Sequence, residues 1–585
     1  METASNQPGL FARLKQHHIY RVVVGYAVFA AFVIQVVSRA FPYFGWTGAV
    51  PVIIIVLLLG FPVVLVLAWM LIKPSDPAKY NSWQRLHWKL GAAIATAVVV
   101  LVVISGIYAW RFSEHHAQRL AAEQAAPAFN PPTDSIVVLP FANLSGDKSQ
   151  QYFSDGITEE LTGALGQSTG LTVIAWDTAS KFHDTKQTAG EMGHTLNVAH
   201  ILDGSIQRAG DQVRVSAELV STVTGRQLWS AHYDEPFKNI FAVQDKISAA
   251  IAGALQVKFA GLQAAPTLNP QAHELYLKSL AAIDRHTAAD SQAALEDFQA
   301  ALKLDPNYAD AWAGLAYAYF GLTQWSTLPL QEALPKMRAA AEKALALDPH
   351  NVNALVQLAN ADDNDNRIAQ ATAKYQQALK LDPNNAPAHL EYGTVLPLKP
   401  GLAEFQEAAR LDPDSVSAQN NLAAVAQDAG DWPQELAASQ AMIELSPHDI
   451  DAAFYLAFAY TQLQRGEEAV KAFDLVQPAT ALDKQLVDAG RLTYQALLKP
   501  ALRPKALAAL NALRRAHISP QSQDDLLQLY LTLGEKATAM QMLPDICAAL
   551  PVSCSDLAIN PMYAPLHGDP RFEKLSKRYT TMTLE

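Results

Sequence analysis

The chain has 585 residues, which is enough for several domains, and its formal net charge is −12. Residues 1–112 contain nine Lys or Arg and two acids, a balance of +7 that leaves −19 for the remainder. An acidic remainder argues against nucleic acid as the partner, because phosphate binding needs a basic face.

Three uncharged apolar runs lie in the basic N-terminal part, at Val22–Val37, Gly48–Ile72 and Leu90–Trp110. Each approaches the ~20 residues needed to cross a bilayer, and Lys and Arg flank the runs. A buried core helix is the alternative for any single run, but three adjacent runs favour transmembrane helices. Because more Lys and Arg precede the first run and separate the second from the third, we expect a cytoplasmic N-terminus. Everything after Trp110 would then lie across the membrane.

A polar, Ala-rich linker follows, and after it the pattern is typical of a small α/β domain. Alternating apolar and polar residues predict strands, Gly210-Asp211 predicts a hairpin turn, and Ser154 or Asp155 is expected to begin a helix. The predicted strands are 136–139, 171–175, 199–207, 213–221 and 226–233, and the predicted helices run to about Leu165, from Thr188 to Leu196, and over 241–259.

Several motifs of this domain match a known family. These are the string from Val137 to Asp147 (VVLPFANLSGD), the string from Tyr152 to Leu161 (YFSDGITEEL), and Leu202-Asp-Gly-Ser205. They resemble bacterial TolB-like proteins, in which a domain similar to the amino-terminal domain of TolB is followed by tetratricopeptide repeats. The resemblance implies a periplasmic interaction module held at the bacterial inner membrane. Relatives of this layout often carry a nucleotide cyclase or a DNA-binding domain ahead of the membrane, and residues 1–21 supply neither.

A Leu-(Asp/Ser)-Pro turn recurs along the next 200 residues. Its prolines are Pro306, Pro349, Pro383, Pro413 and Pro447, at intervals of 43, 34, 30 and 34 residues. A period near 34 is that of tetratricopeptide repeats (TPRs), which are pairs of helices stacked on their neighbours. Small residues and one aromatic recur inside the period, except that Ser439 replaces the aromatic in one repeat. The pattern predicts an α-helical TPR solenoid, with fainter helical repeats and a cap beyond it.

We find no catalytic motif that outweighs a structural explanation. A phosphate-binding loop, a zinc-protease motif and a nucleophile elbow are absent from the sequence. Asp155, Glu159 and Glu160 are better explained as acids at the start of a helix. Three histidines of the α/β domain, His183, His194 and His200, match no metal-ligand spacing. We therefore expect no enzyme activity, no metal and no cofactor.

The two cysteines, Cys547 and Cys554, lie beyond the repeats. In an oxidising compartment they are expected to form a disulfide that stabilises the fold by roughly 2–3 kcal/mol. Two separate buried thiols are the alternative.

The sequence thus predicts a multi-domain protein with three transmembrane helices, a TolB-like α/β domain and a TPR solenoid. The predicted parts are a cytoplasmic tail (1–21), a membrane anchor (22–111), a linker (112–133), the α/β domain (134–262), the repeats (268–476) and degenerate repeats with a cap (477–585).

The predicted function is a membrane-anchored periplasmic scaffold that binds protein or peptide partners in the concave face of the array. The predicted contact residues are Tyr317, Asn353, Asn360, Asn420 and Phe454. The alternative is a signalling receptor that senses a ligand and acts on a separate cytoplasmic output protein. A third reading, an enzyme, would require an acid or nucleophile in the α/β domain, with Asp155 as the residue to test. The partner, the pathway and the oligomeric state stay open.

Overall fold

The computed structural model describes residues 129–257 except 184, and residues 269–582 except 284, 286, 325, 326, 517, 551–553 and 555, together with seven positions between 25 and 35. The chain divides into two compact units, Met1–Phe129 and Asn130–Glu585. The second unit contains the α/β domain and the helical array.

The predicted transmembrane helices fall outside the described residues, apart from the seven positions in the first run. In the part of the chain that the structure describes, no helix is both long and apolar enough to span a bilayer. The predicted fold class is therefore wrong, because the architecture is mainly a TPR-like helical solenoid with a small sheet region.

The α/β domain contains one mixed sheet of six strands. Its order is β3-β1-β4-β5-β6, with β2 paired to β4, and the pairs β1–β3, β1–β4 and β2–β4 are parallel. Strands β4, β5 and β6 form an antiparallel meander, in which Gly210 makes the predicted hairpin turn with a φ of 61°. The strands are β1 (Ser135–Val138), β2 (Ala142–Asn143), β3 (Thr172–Val173), β4 (His200–Ala209), β5 (Gln212–Ser221) and β6 (Gln227–Pro236).

Four helices accompany the sheet: α1 (Gln151–Gly166), α2 (Trp176–Ser180), α3 (Ala189–Leu196) and α4 (Ile240–Leu255). Thr188 caps α3 by the capping box that its spacing to Glu191 allows. The predicted start of α1 is wrong, because the helix begins at Gln151 directly after a short 3-10 turn. Asp155 and Glu160 therefore lie inside the helix and not at its positive end, so a helix-start role does not explain them.

The array consists of helices stacked in pairs, each helix packing on the next. The first helices of the pairs are α5 (Pro270–Ile283), α7 (Ala309–Gln324), α9 (Val352–Asn364), α11 (Ala386–Thr394), α13 (Val416–Ala429), α15 (Asp451–Gln462), α17 (Ala481–Leu498) and α19 (Pro520–Thr532). The second helices are α6 (Ala288–Leu304), α8 (Leu330–Leu347), α10 (Ile368–Leu381), α12 (Leu398–Leu411), α14 (Trp432–Leu445), α16 (Gly466–Ala472), α18 (Arg503–Arg515) and α20 (Lys536–Ala549). A final helix, α21 (Pro570–Met582), follows a 3-10 turn at Pro561–Leu566.

The Leu-Asp-Pro turns end the second helices in one way. At Asp305, Asp348 and Asp382 the backbone N–H donates to the carbonyl oxygen four residues earlier, at 2.8 Å. Each side chain then accepts a hydrogen bond from the backbone N–H two residues later, at 3.0 Å. The proline between them cannot continue the helix, so each turn starts a new pair.

The small and aromatic residues of the repeat pattern explain how closely the helices approach. Phe298 of α6 is fully buried, and a Cβ added to Gly314 of α7 would lie 2.4 Å from its ring. Gly393 of α11 and Phe405 of α12 make a similar contact within one pair, where the added Cβ would lie 2.8 Å from the ring. The aromatic ring therefore fills the space that the glycine leaves open.

Candidate functional site

The α/β domain is fastened to the turns of the array. Asn384, in the turn after α10, accepts a hydrogen bond from the Val173 backbone N–H at 3.0 Å. Its amide nitrogen donates to the carbonyl oxygens of Gly166 and Leu171, both at 2.8 Å. A single turn side chain thus satisfies three backbone groups at the edge of the sheet beside β3.

The next turn of the array holds helix α2. The Thr178 hydroxyl donates to the Asp412 carboxylate at 2.6 Å and accepts a hydrogen bond from the Asp414 backbone N–H at 3.1 Å. Lys181 forms an ion pair with the Asp414 carboxylate at 3.1 Å, and the Ala175 backbone N–H donates to the carbonyl oxygen of the turn's leucine at 2.8 Å. Two successive repeat turns therefore bind one edge of the α/β domain.

A second contact joins the α/β domain to the first helix of the array. The carboxylate of Glu274 in α5 accepts a hydrogen bond from the Tyr152 hydroxyl at 2.8 Å and forms an ion pair with Arg208 at 3.0 Å. The Arg208 guanidinium lies 5.0 Å from the ring centre of Phe153 and 4.8 Å from that of Phe237. These contacts combine an ion pair with cation–π interactions. Through them the α/β domain packs against α5, the first helix of the array.

A buried polar group lies between α1 and the first helices. Glu160 accepts a hydrogen bond from Gln244 at 2.6 Å, and its carboxylate lies 3.8 Å from the ring of buried His273. Burial raises the pKa of Glu160 to about 8 and lowers the pKa of His273 to about 3. The other ring nitrogen of His273 is 2.9 Å from the Tyr308 hydroxyl. The ring nitrogen of His273 that faces Glu160 has no hydrogen-bond partner, so this enclosed group at the contact between the domains is incompletely paired.

The five predicted partner-contact residues lie on four first helices and differ in exposure. Tyr317 on α7 is 40% exposed, Asn353 on α9 is exposed, and Asn420 on α13 is half-buried. Asn360 is buried and accepts a hydrogen bond from the Tyr375 hydroxyl of its own pair at 2.5 Å. Phe454 is also buried, and its ring packs edge-on against that of Phe473, the residue directly after α16. Partner contact by these residues stays a prediction, and Tyr317 and Asn353 are the two best placed for it.

A group of carboxylates that the sequence did not single out lies near the C-terminal end of the array. Its members, called here the carboxylate cluster, are Asp428 of α13, Glu435 of α14, Asp451 of α15, Asp524 of α19 and Asp556 of the segment after α20. Burial raises the pKa of Asp428 and of Glu435 to about 8, and that of Asp524 to about 7. Repulsion between neighbouring members adds to each of these shifts.

A hydrogen-bonded chain connects the C-terminal segment to α13 at this cluster. Gln427 donates to Glu435 at 2.9 Å and accepts a long hydrogen bond from Asn560 at 3.4 Å. Asn560 also donates to Asp556 at 2.9 Å. The sequence signal for a change at this place is Ser439, which stands where other repeats have a buried aromatic and whose hydroxyl donates to the backbone carbonyl oxygen of Glu435 at 2.6 Å.

Of the acids and histidines considered for catalysis or metal binding, Asp155 and His183 lie together. The Asp155 carboxylate accepts a hydrogen bond from Gln151 at 3.0 Å and lies 3.6 Å from the ring of His183, and burial raises its pKa. His194 is exposed on α3, and His200 has one ring nitrogen 3.2 Å from a backbone carbonyl oxygen of β1. Among the described residues, no group of three or more His, Cys, Asp or Glu is placed to hold a metal ion.

The array also contains a disulfide and a shallow pocket. Cys547 and Cys554 form a disulfide, with their Cα atoms 5.5 Å apart. A shallow pocket of about 320 Å³ lies between α12, α13 and α14, lined by alanines, glutamines and Arg410. Arg410 is already paired with Glu407, so the pocket offers a ligand little uncompensated charge.

No family model matches the chain. A curated Rhizobium meliloti (strain 1021) protein named "Putative adenylate cyclase 3" is 34% identical over 217 residues, which are 36% of this chain and 37% of that protein. The chain thus spans little more than a third of this relative's length.

Solved structures with some likeness include YrrB, a TPR protein with an unusual peptide-binding site (21% identity, 30% of this chain, 89% of that chain, TM-score 0.25). PilF of Pseudomonas aeruginosa is another (20% identity, 37% of this chain, 95% of that chain, TM-score 0.29). The repeat architecture of this chain rests on its own helix pairs and turns.

Proposed function

We propose that residues 130–585 form a scaffold that binds protein or peptide partners on the first helices of the repeat array. The observation that carries this proposal is the stack of helix pairs, two successive turns of which are hydrogen-bonded to the α/β domain through Asn384 and Thr178. These bonds limit how far the neighbouring first helices can move apart, so a partner would lose little free energy to ordering the receptor. A kinship with TolB-like proteins, suggested by the motifs of the α/β domain, is part of the proposal.

The test is crosslinking in intact cells that express the full chain, followed by affinity capture and mass spectrometry. The test variant combines Tyr317→Ala with Asn353→Ala on neighbouring first helices. The control is Glu444→Ala, an exposed change on the second helix α14. We expect capture of array partners to fall about tenfold in the double variant and to be unchanged in the control. Equal capture by all three proteins would refute binding at the first-helix face.

We further propose that the part of the chain after residue 111 is periplasmic. The pairing of Cys547 with Cys554 supports this location, because such bonds persist in oxidising compartments and are rare in the cytosol. The measurement is thiol labelling of cells lysed under denaturing conditions. Resistance of both cysteines to a maleimide until reductant is added is the expected result, and immediate labelling would place them in a reducing compartment.

A second candidate function is the sensing part of a nucleotide-signalling system. The supporting observation is the 34% identity with the Rhizobium protein named as an adenylate cyclase. In this case the chain would act on a separate output protein, so purified full-length chain should make no cyclic AMP from ATP. Cyclic AMP formation that is lost in an Asp155→Asn variant would favour an enzyme over both proposals.

A further inference from the structure

The two outer edges of the sheet in the α/β domain differ in what covers them. At the β3 edge, Asn384 of the array accepts a hydrogen bond from the Val173 N–H and donates to the Leu171 carbonyl oxygen. The opposite edge is β6, a strand of ten residues whose strand partner is β5. An edge strand presents a row of backbone donors and acceptors on which another strand can form. In the described part of the chain, no second strand pairs with β6.

The register of β6 shows which of its backbone groups face outward. Phe237 directly follows the strand, and its N–H donates to the Asp211 carbonyl oxygen at 2.7 Å. Alternate residues of an antiparallel strand direct their backbone groups to opposite sides, so Ser230, His232 and Asp234 direct theirs away from β5. Among the described residues, no group forms a hydrogen bond with these outward N–H and carbonyl groups.

The middle of β6 lacks the features that usually prevent strand pairing. A bulge opposite Leu219 disturbs the register near the start of the strand, and Pro236 is its last residue. Between them the strand contains no proline and no lysine. The one outward-edge charge, that of Asp234, is compensated by Arg214 at 2.6 Å. The stretch 229–233 is therefore open to a further strand.

This stretch is complementary to a second copy of itself. In an antiparallel pair centred on Ala231, Ser230 would lie opposite His232 of the second copy, and Trp229 opposite Tyr233 of the second copy. Trp229 and Tyr233 are half-buried at the rim of the core of the α/β domain. Aromatic pairs across neighbouring strands are favourable, so this register covers the parts of both rings that the core leaves exposed.

The same register keeps like charges apart. It places Asp234 and Glu235 of one copy beside residues 227–230 of the other, which carry no charge. A centre on His232 would instead oppose the two copies of that histidine and place Glu235 against Trp229. Ala231 is therefore the centre that the side chains favour.

Helix α4 lies on the sheet face that carries the aromatic pair. Lys246 of α4 forms an ion pair with Glu235 at 3.1 Å and lies 6.0 Å from the ring centre of Tyr233. A twofold axis through Ala231 would place the α4 helices of both copies on this one face. Because four of the five exposed residues of α4 are small, the two helices can approach each other. The exposed residues are Ala242, Lys246, Ala249, Gly253 and Ala254.

We propose that two copies of the chain associate through β6, which pairs antiparallel with β6 of the second copy about a twofold axis at Ala231. The two sheets then form one continuous sheet, and the outward backbone groups of Ser230 and His232 gain partners. Twofold dimers are the commonest closed assemblies, and their interface must be complementary to itself, as this strand is. The dimer is a property of the α/β domain and goes beyond partner binding by the array.

The test places one cysteine at the centre of the interface, in the variant Ala231→Cys. Opposed residues of this kind have Cα atoms about 4.5 Å apart, which is within disulfide reach. The matched control is Ser230→Cys, which is more exposed, but whose copies would be about 7–8 Å apart and out of reach. Cys547 and Cys554 are bonded to each other, so each variant carries a single free thiol.

Intact cells that express the full chain are treated with copper phenanthroline, and dimers are measured on non-reducing gels. We expect Ala231→Cys to give at least about tenfold more disulfide-linked dimer than Ser230→Cys. Equal yields from the two variants, or no dimer from Ala231→Cys, would overturn the proposal.

A second comparison adds Ser230→Lys and His232→Lys to Ala231→Cys, so that lysines oppose each other across the interface. The control adds Gln292→Lys and Gln370→Lys, two exposed changes on α6 and α10 that alter the charge equally. The dimer yield should fall at least about tenfold in the first set and stay unchanged in the control. His232→Pro, which removes only an outward N–H, should have the same effect if the lysine variant is unstable. An unchanged yield in the lysine and proline variants would refute pairing through β6.

A photoreactive phenylalanine analogue in place of His232 identifies what lies at the edge in cells. Crosslinks to residues 227–236 of a second copy, located by mass spectrometry of isotopically mixed chains, would support the dimer. Crosslinks to residues 112–128 or 258–268 of the same chain would show that the chain covers its own edge, and would refute it. Crosslinks to a different protein in place of a second copy would also refute it.

Discussion

Replacing Asn384 by alanine tests whether the contact between the α/β domain and the array stabilises the fold. The change removes three hydrogen bonds, one accepted from the Val173 N–H and two donated to Gly166 and Leu171. At about 1 kcal/mol net for each bond, the free energy of unfolding should fall by about 3 kcal/mol. Because Val173 is only 2% exposed, water does not readily replace the lost acceptor. The matched control is Asn307→Ala, at the same position of the first turn, where the side chain is exposed.

Urea unfolding of both variants measures the loss, and amide hydrogen exchange localises it. The Asn384→Ala variant should show faster exchange at the Val173 amide, whereas Asn307→Ala should stay within about 0.5 kcal/mol of the parent. A loss below about 1 kcal/mol for Asn384→Ala, or unchanged protection of the Val173 amide, would refute the reasoning. The α/β domain would then be attached mainly through its contacts with α5.

Three further predictions concern charge, covalent bonding and packing. Burial raises the pKa of Asp428 from 3.8 to about 8, so the folded chain keeps a proton that the unfolded chain releases. Its contribution to the unfolding free energy should fall as the pH rises from about 4 to about 8, by at most about 1.4 kcal/mol per pH unit. Urea unfolding of Asp428→Asn should lack this part of the decline. A pH profile identical to that of the parent would contradict the prediction. Reduction of the disulfide between Cys547 and Cys554 should lower the unfolding free energy by roughly 2.5 kcal/mol. The measurement compares denaturant titrations with and without reductant, and reductant should have no effect on a variant in which both cysteines are alanine. Gly314→Ala should lower the free energy of unfolding, measured by thermal unfolding, by about 1–3 kcal/mol, because its Cβ would lie 2.4 Å from an aromatic ring. Gly163→Ala, whose Cβ would enter open space beside α1, should raise it by up to about 1 kcal/mol.

The local pattern of the sequence is sufficient to predict most of the helices and strands. Strands β4 and β5 follow from alternation and from the turn at Gly210, and α3 follows from the cap at Thr188. The helix pairs follow from the recurring Leu-Asp-Pro turn, since the cap and the proline act within a few residues. These signals are short-range, so one sequence contains them in full.

Long-range contacts had no such signal. Asn384 and Asn307 follow the same Asp-Pro pair, yet only Asn384 meets a strand more than 200 residues away in the chain. The predicted contact residues Asn360 and Phe454 turned inward because the rotation of a first helix about its axis depends on the packing of its neighbours. Asp428 and Asp556 belong to separate elements, and only the folded C-terminal segment brings them together.

The ties between distant parts of the array restrict how its length can change. The α/β domain contacts α5 through Glu274 and also contacts the turns at Asn384 and Asp414. Because one small domain reaches both places, its size fixes the number of helix pairs between them. The hydrogen bond from Asn560 to Gln427 likewise connects the C-terminal segment to α13, and so limits the number of pairs between them. Most repeat arrays tolerate duplication or loss of a unit, because each repeat contacts only its neighbours. Here an added or deleted pair would break one of these contacts. Variation among related chains should therefore appear as longer helices within a pair, as in the 43-residue interval, and not as extra repeats.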